Sequence, residues 1–354
     1  MLLKIELLKI HTKLFFIIAL LFLTACDKKE PELPVFEEQM FLMGTVVEVS
    51  IYGETEKKSQ KVFHDLLKDF KYMHVAWSPK NKGSLKRVNN LLPLQAPFSI
   101  GPAVQDMIKK ATDLSIQSEG LFNPAIGKII NLWNFSLKEL PTGPPPDRAL
   151  IEKILQQNPK MTDLKISPLT VVSNNEAVQI DLGAYAKGYG VDKAMEYLKS
   201  VGVNNAIINA GGDLRAIGSK GTKPWSIGIR HPREEGVIAG IEIKGDESVF
   251  TSGDYERFYD YEGKRYHHII DPRTGYPADQ TTSVTVLHNN AATADAAATA
   301  LFIAGPENWQ RIAKNMSIEY VMLIDKGGKV YVTAKMEKRL KFADRKSLDL
   351  VIAQ

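Results

Sequence analysis

Between residues 177 and 324 the chain makes one strand-like run after another, at 177–182, 205–209, 225–230, 237–243, 283–288 and 320–324, and from 225 to 243 there is room only for a turn between two of them. A parallel pair of strands needs a crossover of a dozen or more residues, usually a helix, whereas an antiparallel pair can be joined by a tight turn. The pattern therefore predicts an α+β protein with largely antiparallel sheets and packed helices, and not a doubly wound parallel fold. Apolar periodicity predicts a helix at 57–74, where Val62, Leu66, Leu67 and Phe70 share a face, and others at 101–118, 147–157, 184–200 and 292–303. The β-branched run 41–52 predicts a strand, and PTGPPP at 141–146 predicts a surface loop, since neither helix nor central strand accommodates it. No linker divides the chain after its first residues, so one unit is expected, with room for two lobes.

The first 25 residues carry Lys4, Lys9 and Lys13, then the apolar run 14–23, which is too short to span a bilayer and ends in small residues. They read as a signal peptide. It closes on Leu23-Thr24-Ala25-Cys26, and Cys26 is the only cysteine of the chain. That fits the bacterial lipobox, in which the signal is cut before the cysteine and acyl chains on it, palmitate among them, anchor the protein. Asp27 resembles the signal for retention in the inner membrane, so the expected place is the periplasmic face of that membrane. Residues 26–36, charged and broken by prolines, read as the lipidated cysteine and a flexible tether, with the folded domain at 37–354. With no other cysteine there is no disulfide, thiolate zinc site or thiol nucleophile, so the chemistry must come from oxygen and nitrogen groups. The net charge is +4, of which the signal supplies +2 (three lysines against Glu6); the remaining +2 makes no electrostatic case for nucleic acid.

Four clusters interrupt the apolar runs. In 179–192 (QIDLGAYAKGYGVD), Asp181 closes an extended run and Lys187 falls in the first turn of a helix; free N–H groups and a lysine there suit a phosphate, although a capped turn with a solvated lysine has the same pattern. In NAGGD at 209–213 paired glycines permit close approach of a ligand, and a plain hairpin turn explains them better. TSGDYER at 251–257 precedes YHHIIDPRTGYP at 266–277, whose proline and glycine turn puts His268 and Asp271 near a strand end. Histidine exchanges protons near neutral pH as a general base must, and the neighbours His267 and His268 point to opposite faces of a strand, so one faces the site. In 292–299 (ATADAAAT), Asp295 and Thr299 are four apart on one helix face, a hard-oxygen pair suited to Mg²⁺; an acid that favours the helix dipole and a threonine bonded to its own backbone are the plainer alternatives.

Taken in order, Met43-Gly44-Thr45, DLGAYAKGYGVD, NAGGD, TSGDYER, HHIIDPRTGYP and TADAAATAL closely resemble the FAD:protein FMN transferases, the ApbE family, over residues 41–342. The resemblance implies an ApbE-like fold and a Mg²⁺-dependent enzyme. By the same resemblance FAD would be its substrate, the FMN half going to a threonine or serine of an acceptor protein through a phosphoester with release of AMP. It further implies Mg²⁺ held by Asp295 and Thr299 with main-chain oxygens of Ala184 and Ala298, and FAD bound against Met43, Leu121, Phe122, Asn123, Asp181, Lys187 and Ile270. His268 is the expected base, with Asp271 or Asp181 in reserve. Acceptors of the family carry a D-x-x-[ST]-G-[AS]-T-like motif and include subunits of sodium-pumping NADH:quinone reductases and related electron-transport proteins. Two departures stand out: Asn123 occupies a position where many relatives have aspartate, and 77–89 is a loose version of the family's serine and arginine segment. The rival readings are a Mg²⁺-dependent FAD pyrophosphatase giving FMN and AMP, and a non-catalytic flavin-binding lipoprotein.

Overall fold

Two hairpins with two-residue turns set the frame of the sheet. Strands β1 (Val35–Leu42) and β2 (Thr45–Tyr52) are joined by Met43 (φ 54°) and Gly44 (φ 81°); β3 (Ala206–Ala210) and β4 (Asp213–Ile217) are joined by Gly211 (φ 69°) and Gly212 (φ 97°). Positive φ at both central residues is the geometry whose twist matches that of the flanking strands. The expected single strand at 41–52 is thus two strands, because Met43 takes a left-handed conformation that its side chain does not advertise. In the computed structural model, which describes residues 34–80, 82–135 and 140–353, five further strands continue the sheet: β5 (Glu247–Gly253), β6 (Thr281–His288), β7 (Tyr320–Asp325), β8 (Val330–Thr333) and β9 (Leu350–Ala353). All nine lie side by side in chain order, each antiparallel to the next until the parallel pair β8–β9. The largely antiparallel α+β expectation is met. Cys26 and the signal segment lie outside the described residues, and β1 begins at Val35, inside the stretch read as tether.

Side chains of the central strands alternate between two apolar layers. Val284, Val286, Val321 and Leu323 face the layer beneath the helices, while Leu287, Met322 and Ile324 face a second one with Ile229 and Ile241 from a small three-stranded sheet. A sheet covered on both faces reads as near-continuous burial along each strand, as β6 does. Three helices on the first face matter for the site: α1 (Glu56–Ala76), capped by the Thr55 hydroxyl, α2 (Ala186–Ser200) and α3 (Ala291–Asn315). The expected helix 292–303 is longer than its pattern suggested. It breaks at Gly305 (φ 70°, ψ 177°) before Pro306 and resumes, and Arg273 donates to the Ile303 carbonyl (3.2 Å) near the break. The run 177–182 is extended but joins no sheet; it bonds instead to the start of the short helix Gly127–Trp133, with Asp181 N–H to the Pro124 carbonyl (2.9 Å) and Gly127 N–H to the Gln179 carbonyl (2.7 Å). The loop at 141–146 is irregular as expected. Among the described residues no helix is long and apolar enough to cross a membrane.

Candidate active site

The tips of both hairpins, the C-terminal end of β5, the first turn of α2 and the face of α3 that carries Asp295 and Thr299 meet around a cavity of about 780 Å³. Chain order explains the convergence: β4 starts and β5 ends at the same edge of the sheet, since Leu214 pairs with Val249. Gly211 lets the tips touch, because a Cβ there would stand 2.1 Å from the Thr45 Oγ1. One wall is apolar, with Met43, Met73, Trp77, Leu121, Phe122 and Trp133, and the other carries the charges.

The charged wall is built from neighbours in space that are far apart in sequence. Lys187, in the first turn of α2, pairs with Asp213 at the tip of β4, whose other oxygen accepts the N–H of Thr251 (2.7 Å). Burial acts to lower the Lys187 pKa, and the carboxylates of Asp213, Asp295 and Glu256 override it, so the ammonium is held above the usual lysine range. Asp295 Oδ2 accepts the Gly188 N–H (2.9 Å), and Thr299 meets the Ser252 hydroxyl (3.2 Å). Burial raises the Asp295 carboxyl to about 7 despite Lys187 beside it. Burial likewise raises Asp181 and Glu256 and depresses Arg257.

His268 faces the cavity, its Nδ1 3.3 Å from the Arg257 carbonyl, and is held well below the usual histidine range by burial first, then by Arg257 and His267. His267 points the other way into the core, with Nε2 on the Ala278 carbonyl (2.7 Å) and its ring against Phe302. The opposite-face expectation for this pair holds.

The cavity gathers Met43, Leu121, Phe122, Asn123, Asp181, Ala184, Lys187, His268, Ile270, Asp295 and Thr299, all singled out from sequence. Two expected residues stand apart. Asp271 does not line it: both its oxygens are engaged by Arg273 and the turn it closes, so it is poorly placed to take a proton from a ligand. Ala298 is buried in the interior of α3, where its carbonyl belongs to the helix ladder, and it does not line the cavity. Asn123 is at the wall, but its amide donates to the Pro159 carbonyl (2.9 Å) and its oxygen accepts the Ala125 N–H (3.1 Å), so the side chain shapes the turn. An aspartate could not make the first of these bonds. Sequence reading passed over Glu256, Arg257 and Arg230 as site residues and read Asp213 only as a turn; no local signal marks Asp213 as the partner of a lysine 26 positions earlier.

Hard-oxygen donors are present for a divalent cation. Asp295 is buried, lines the cavity and has no ion-pair partner among the described residues, its charge being met only by the Gly188 N–H and by Lys187 at longer range. Ala184 precedes α2, and no backbone N–H of the described residues reaches its carbonyl. Among the described residues no three acidic, histidine or cysteine side chains converge as a metal cluster. Asp295 with Thr299 and the Ala184 carbonyl is a donor set that fits Mg²⁺, which commonly takes one or two carboxylates and fills its shell with water and phosphate oxygens.

The model of the ApbE family matches residues 43–322, the span that contains every residue lining this cavity. The chain belongs to the ApbE family. A protein of Rhodobacter capsulatus named FAD:protein FMN transferase is 40% identical over 307 residues, 87% of this chain, which spans only 58% of that relative. A Vibrio cholerae protein of the same name is 33% identical over 68% of this chain and 73% of its own. Among solved structures, the ApbE protein of Thermotoga maritima superimposes with a TM-score of 0.78 at 30% identity, covering 86% of this chain and 99% of its own. The flavin transferase ApbE of Vibrio cholerae does so with 0.76 at 28%, covering 87% and 99%. The cavity thus offers apolar surface along one wall and charged groups of both signs along the other.

Proposed function

We infer that this protein is a flavin transferase that splits FAD and attaches the FMN half to a threonine or serine of an acceptor protein, releasing AMP. The observation that carries the reading is Asp295, a buried carboxylate without an ion-pair partner, placed on α3 where that helix meets the first turn of α2 at the cavity. The first turn of α2, which carries Lys187, turns partial positive charge toward the same place, a natural seat for a diphosphate. Asp295 and Thr299, with the Ala184 carbonyl, would hold Mg²⁺ there. When bound, the ion offsets charge on the diphosphate oxygens. Ala298 is left out of this set.

The acceptor hydroxyl attacks the phosphorus of the FMN half; a new P–O bond forms, the P–O bond to AMP breaks, and AMP departs with that electron pair. The hydroxyl proton must go to a base. His268 suits the task because its depressed pKa keeps the imidazole neutral and able to accept. Asp181, raised by burial and already accepting the Gly183 N–H (2.8 Å), is the weaker candidate, and Asp271 is set aside for its engagement with Arg273. Met43, Leu121, Phe122 and Ile270 supply apolar surface for the rings, and Lys187 stands at the diphosphate end.

Acceptors would be membrane redox subunits bearing the D-x-x-[ST]-G-[AS]-T-like motif, and a lipid anchor on Cys26 would hold the enzyme beside them at the periplasmic face of the inner membrane. These last readings rest on sequence alone. Residues 27–354, incubated with FAD, Mg²⁺ and a peptide carrying the motif, should yield covalently fluorescent peptide with an equal amount of AMP. AMP with free FMN and unmodified peptide would show hydrolysis instead, and intact FAD would leave only binding.

A further inference from the structure

The first turns of α2 and α3 are tied to each other twice, in opposite directions. Asp295 of α3 accepts the Gly188 N–H in the first turn of α2 (2.9 Å). In return Asp192, one turn further along α2, serves the start of α3. Its Oδ1 accepts the Ala291 N–H (2.8 Å), and its Oδ2 accepts the Ala292 N–H (3.0 Å) and the Asn290 side-chain amide (2.6 Å). The free N–H groups of a helix start are ordinarily taken by the residue just before that helix; Asn290 does this for Thr293 (2.8 Å), and the rest are met by the partner helix. Arg215 completes the set, donating to Asp192 and to Asp246 (2.8 and 3.0 Å). Asp192 is buried and does not line the cavity.

We propose that Asp192 is a positioning residue, holding the first turn of α3 against α2 and so setting where Asp295 and Thr299 stand relative to Lys187. The inference rests on the reading of the cavity as a metal-assisted flavin site. Asp295 and Thr299 lie one and two turns inside a rigid helix, so a displacement of its start is carried to both. Asparagine is no substitute, because one of its two terminal atoms is a donor that would face N–H groups.

The test is FAD affinity, read from flavin fluorescence on the full-length protein in Mg²⁺ and in EDTA. In the wild type Mg²⁺ should tighten binding. Asp192→Asn should lose about tenfold or more of that tightening, the size expected when the support of a metal ligand is removed, while its affinity in EDTA stays near wild type. Asp246→Asn removes the other partner of Arg215 and leaves the α3 start intact; it should keep the tightening. Asn290→Ser retains a side-chain acceptor for Thr293 while deleting one bond to Asp192, and should show a smaller loss than Asp192→Asn. Full tightening in Asp192→Asn, or an equal loss in Asp246→Asn, overturns the proposal. Absence of any Mg²⁺ effect in the wild type overturns the metal reading and this inference with it, and is told apart because it needs no variant.

Discussion

Replacing Gly188 by alanine sets two physical effects against each other. Alanine is the better helix former by about 1 kcal/mol, so propensity alone makes the variant more stable. The structure says the opposite. A Cβ on Gly188 would lie 2.3 Å from the Ala291 carbonyl oxygen and 2.8 Å from the Asp295 Cβ, whereas real Cβ contacts stay above 3.0 Å, so the first turns of α2 and α3 must separate. Overpacking of this kind costs about 1–3 kcal/mol. Stretching the bond from the Gly188 N–H to the Asp295 carboxylate forfeits roughly 1.5–3 kcal/mol more. Net of the propensity gain, the variant should be destabilised by roughly 1.5–5 kcal/mol, a fall in Tm on the order of 2–7 °C for a fold of this size, with the Mg²⁺ requirement raised as well. Gly190 supplies the matched control: it is in the same helix, a Cβ there meets nothing nearer than 3.4 Å, and Gly190→Ala should melt at or slightly above wild type. Thermal melts followed by circular dichroism decide the matter, and a Gly188→Ala protein as stable as Gly190→Ala would refute the helix contact.

His268→Ala should lower transfer by about 10²–10⁴-fold. Because the imidazole titrates well below its usual value, the acid limb that it imposes on the wild-type rate should begin below pH 6.5 and vanish in the variant; an unchanged pH profile removes it as base. The same shift bears on stability with a fixed sign: the unfolded chain takes up the proton first, so this histidine's contribution is intact above pH 6.5 and is lost as the pH falls toward the folded value. Asp271→Asn should keep the transfer rate within a few-fold of wild type and lower Tm slightly, its ion pair being with the half-exposed Arg273; a rate loss of about 10²-fold at unchanged Tm would restore it as a base. Trp133→Ala empties a cluster with Ile129, Ile151 and Tyr266 and breaks the Nε1 bond to the Gly275 carbonyl (2.8 Å), so denaturant unfolding should report a loss of about 3–5 kcal/mol, and a loss below about 1 would mean the cluster relaxes freely.

Most helices and the strands on either side of the tight turns were legible because they bury one face, and a buried face leaves a period in the sequence: Val62, Leu66 and Phe70 of α1 do so plainly. The turn at Met43 was not, since a left-handed methionine is imposed by the hairpin and its contact with the His74 ring (3.2 Å), not by local preference. The strand β4 hid for another reason. Buried on both faces, it carries Asp213 and Arg215, whose partners Lys187, Asp192 and Asp246 are remote, so its polar residues break the apolar run and only the hairpin turn before it was read. In the site, the residues on the cavity wall were found through a family resemblance that fixes positions. What that could not show was which of them already have partners: Asp271 and Asn123 are spent on their own turns, and Lys187 is not free but paired.

That pairing has a consequence for how a diphosphate can enter. The cavity wall carries the cations Lys80, Lys187, Arg230 and Arg257 and the acids Asp181, Asp213, Glu256 and Asp295, so no surplus of positive charge awaits an anion. A diphosphate that drew Lys187 from Asp213 would strand a buried carboxylate, and breaking a buried pair costs about 3–5 kcal/mol. Entry together with a divalent cation near Asp295 avoids that cost, because it offsets the charge of the guest and of an acid that has no ion-pair partner at once. Asp213→Asn separates the two routes. With its partner neutral, Lys187 becomes available to phosphate, so the variant should bind FAD more tightly than wild type in EDTA, by about tenfold if a third of the pair's cost is recovered, and gain less from Mg²⁺. Fluorescence titration in EDTA reads this directly. An Asp213→Asn protein that folds but binds FAD no better without metal would show that Lys187 does not limit metal-free binding, and the charge argument for the cation would fall.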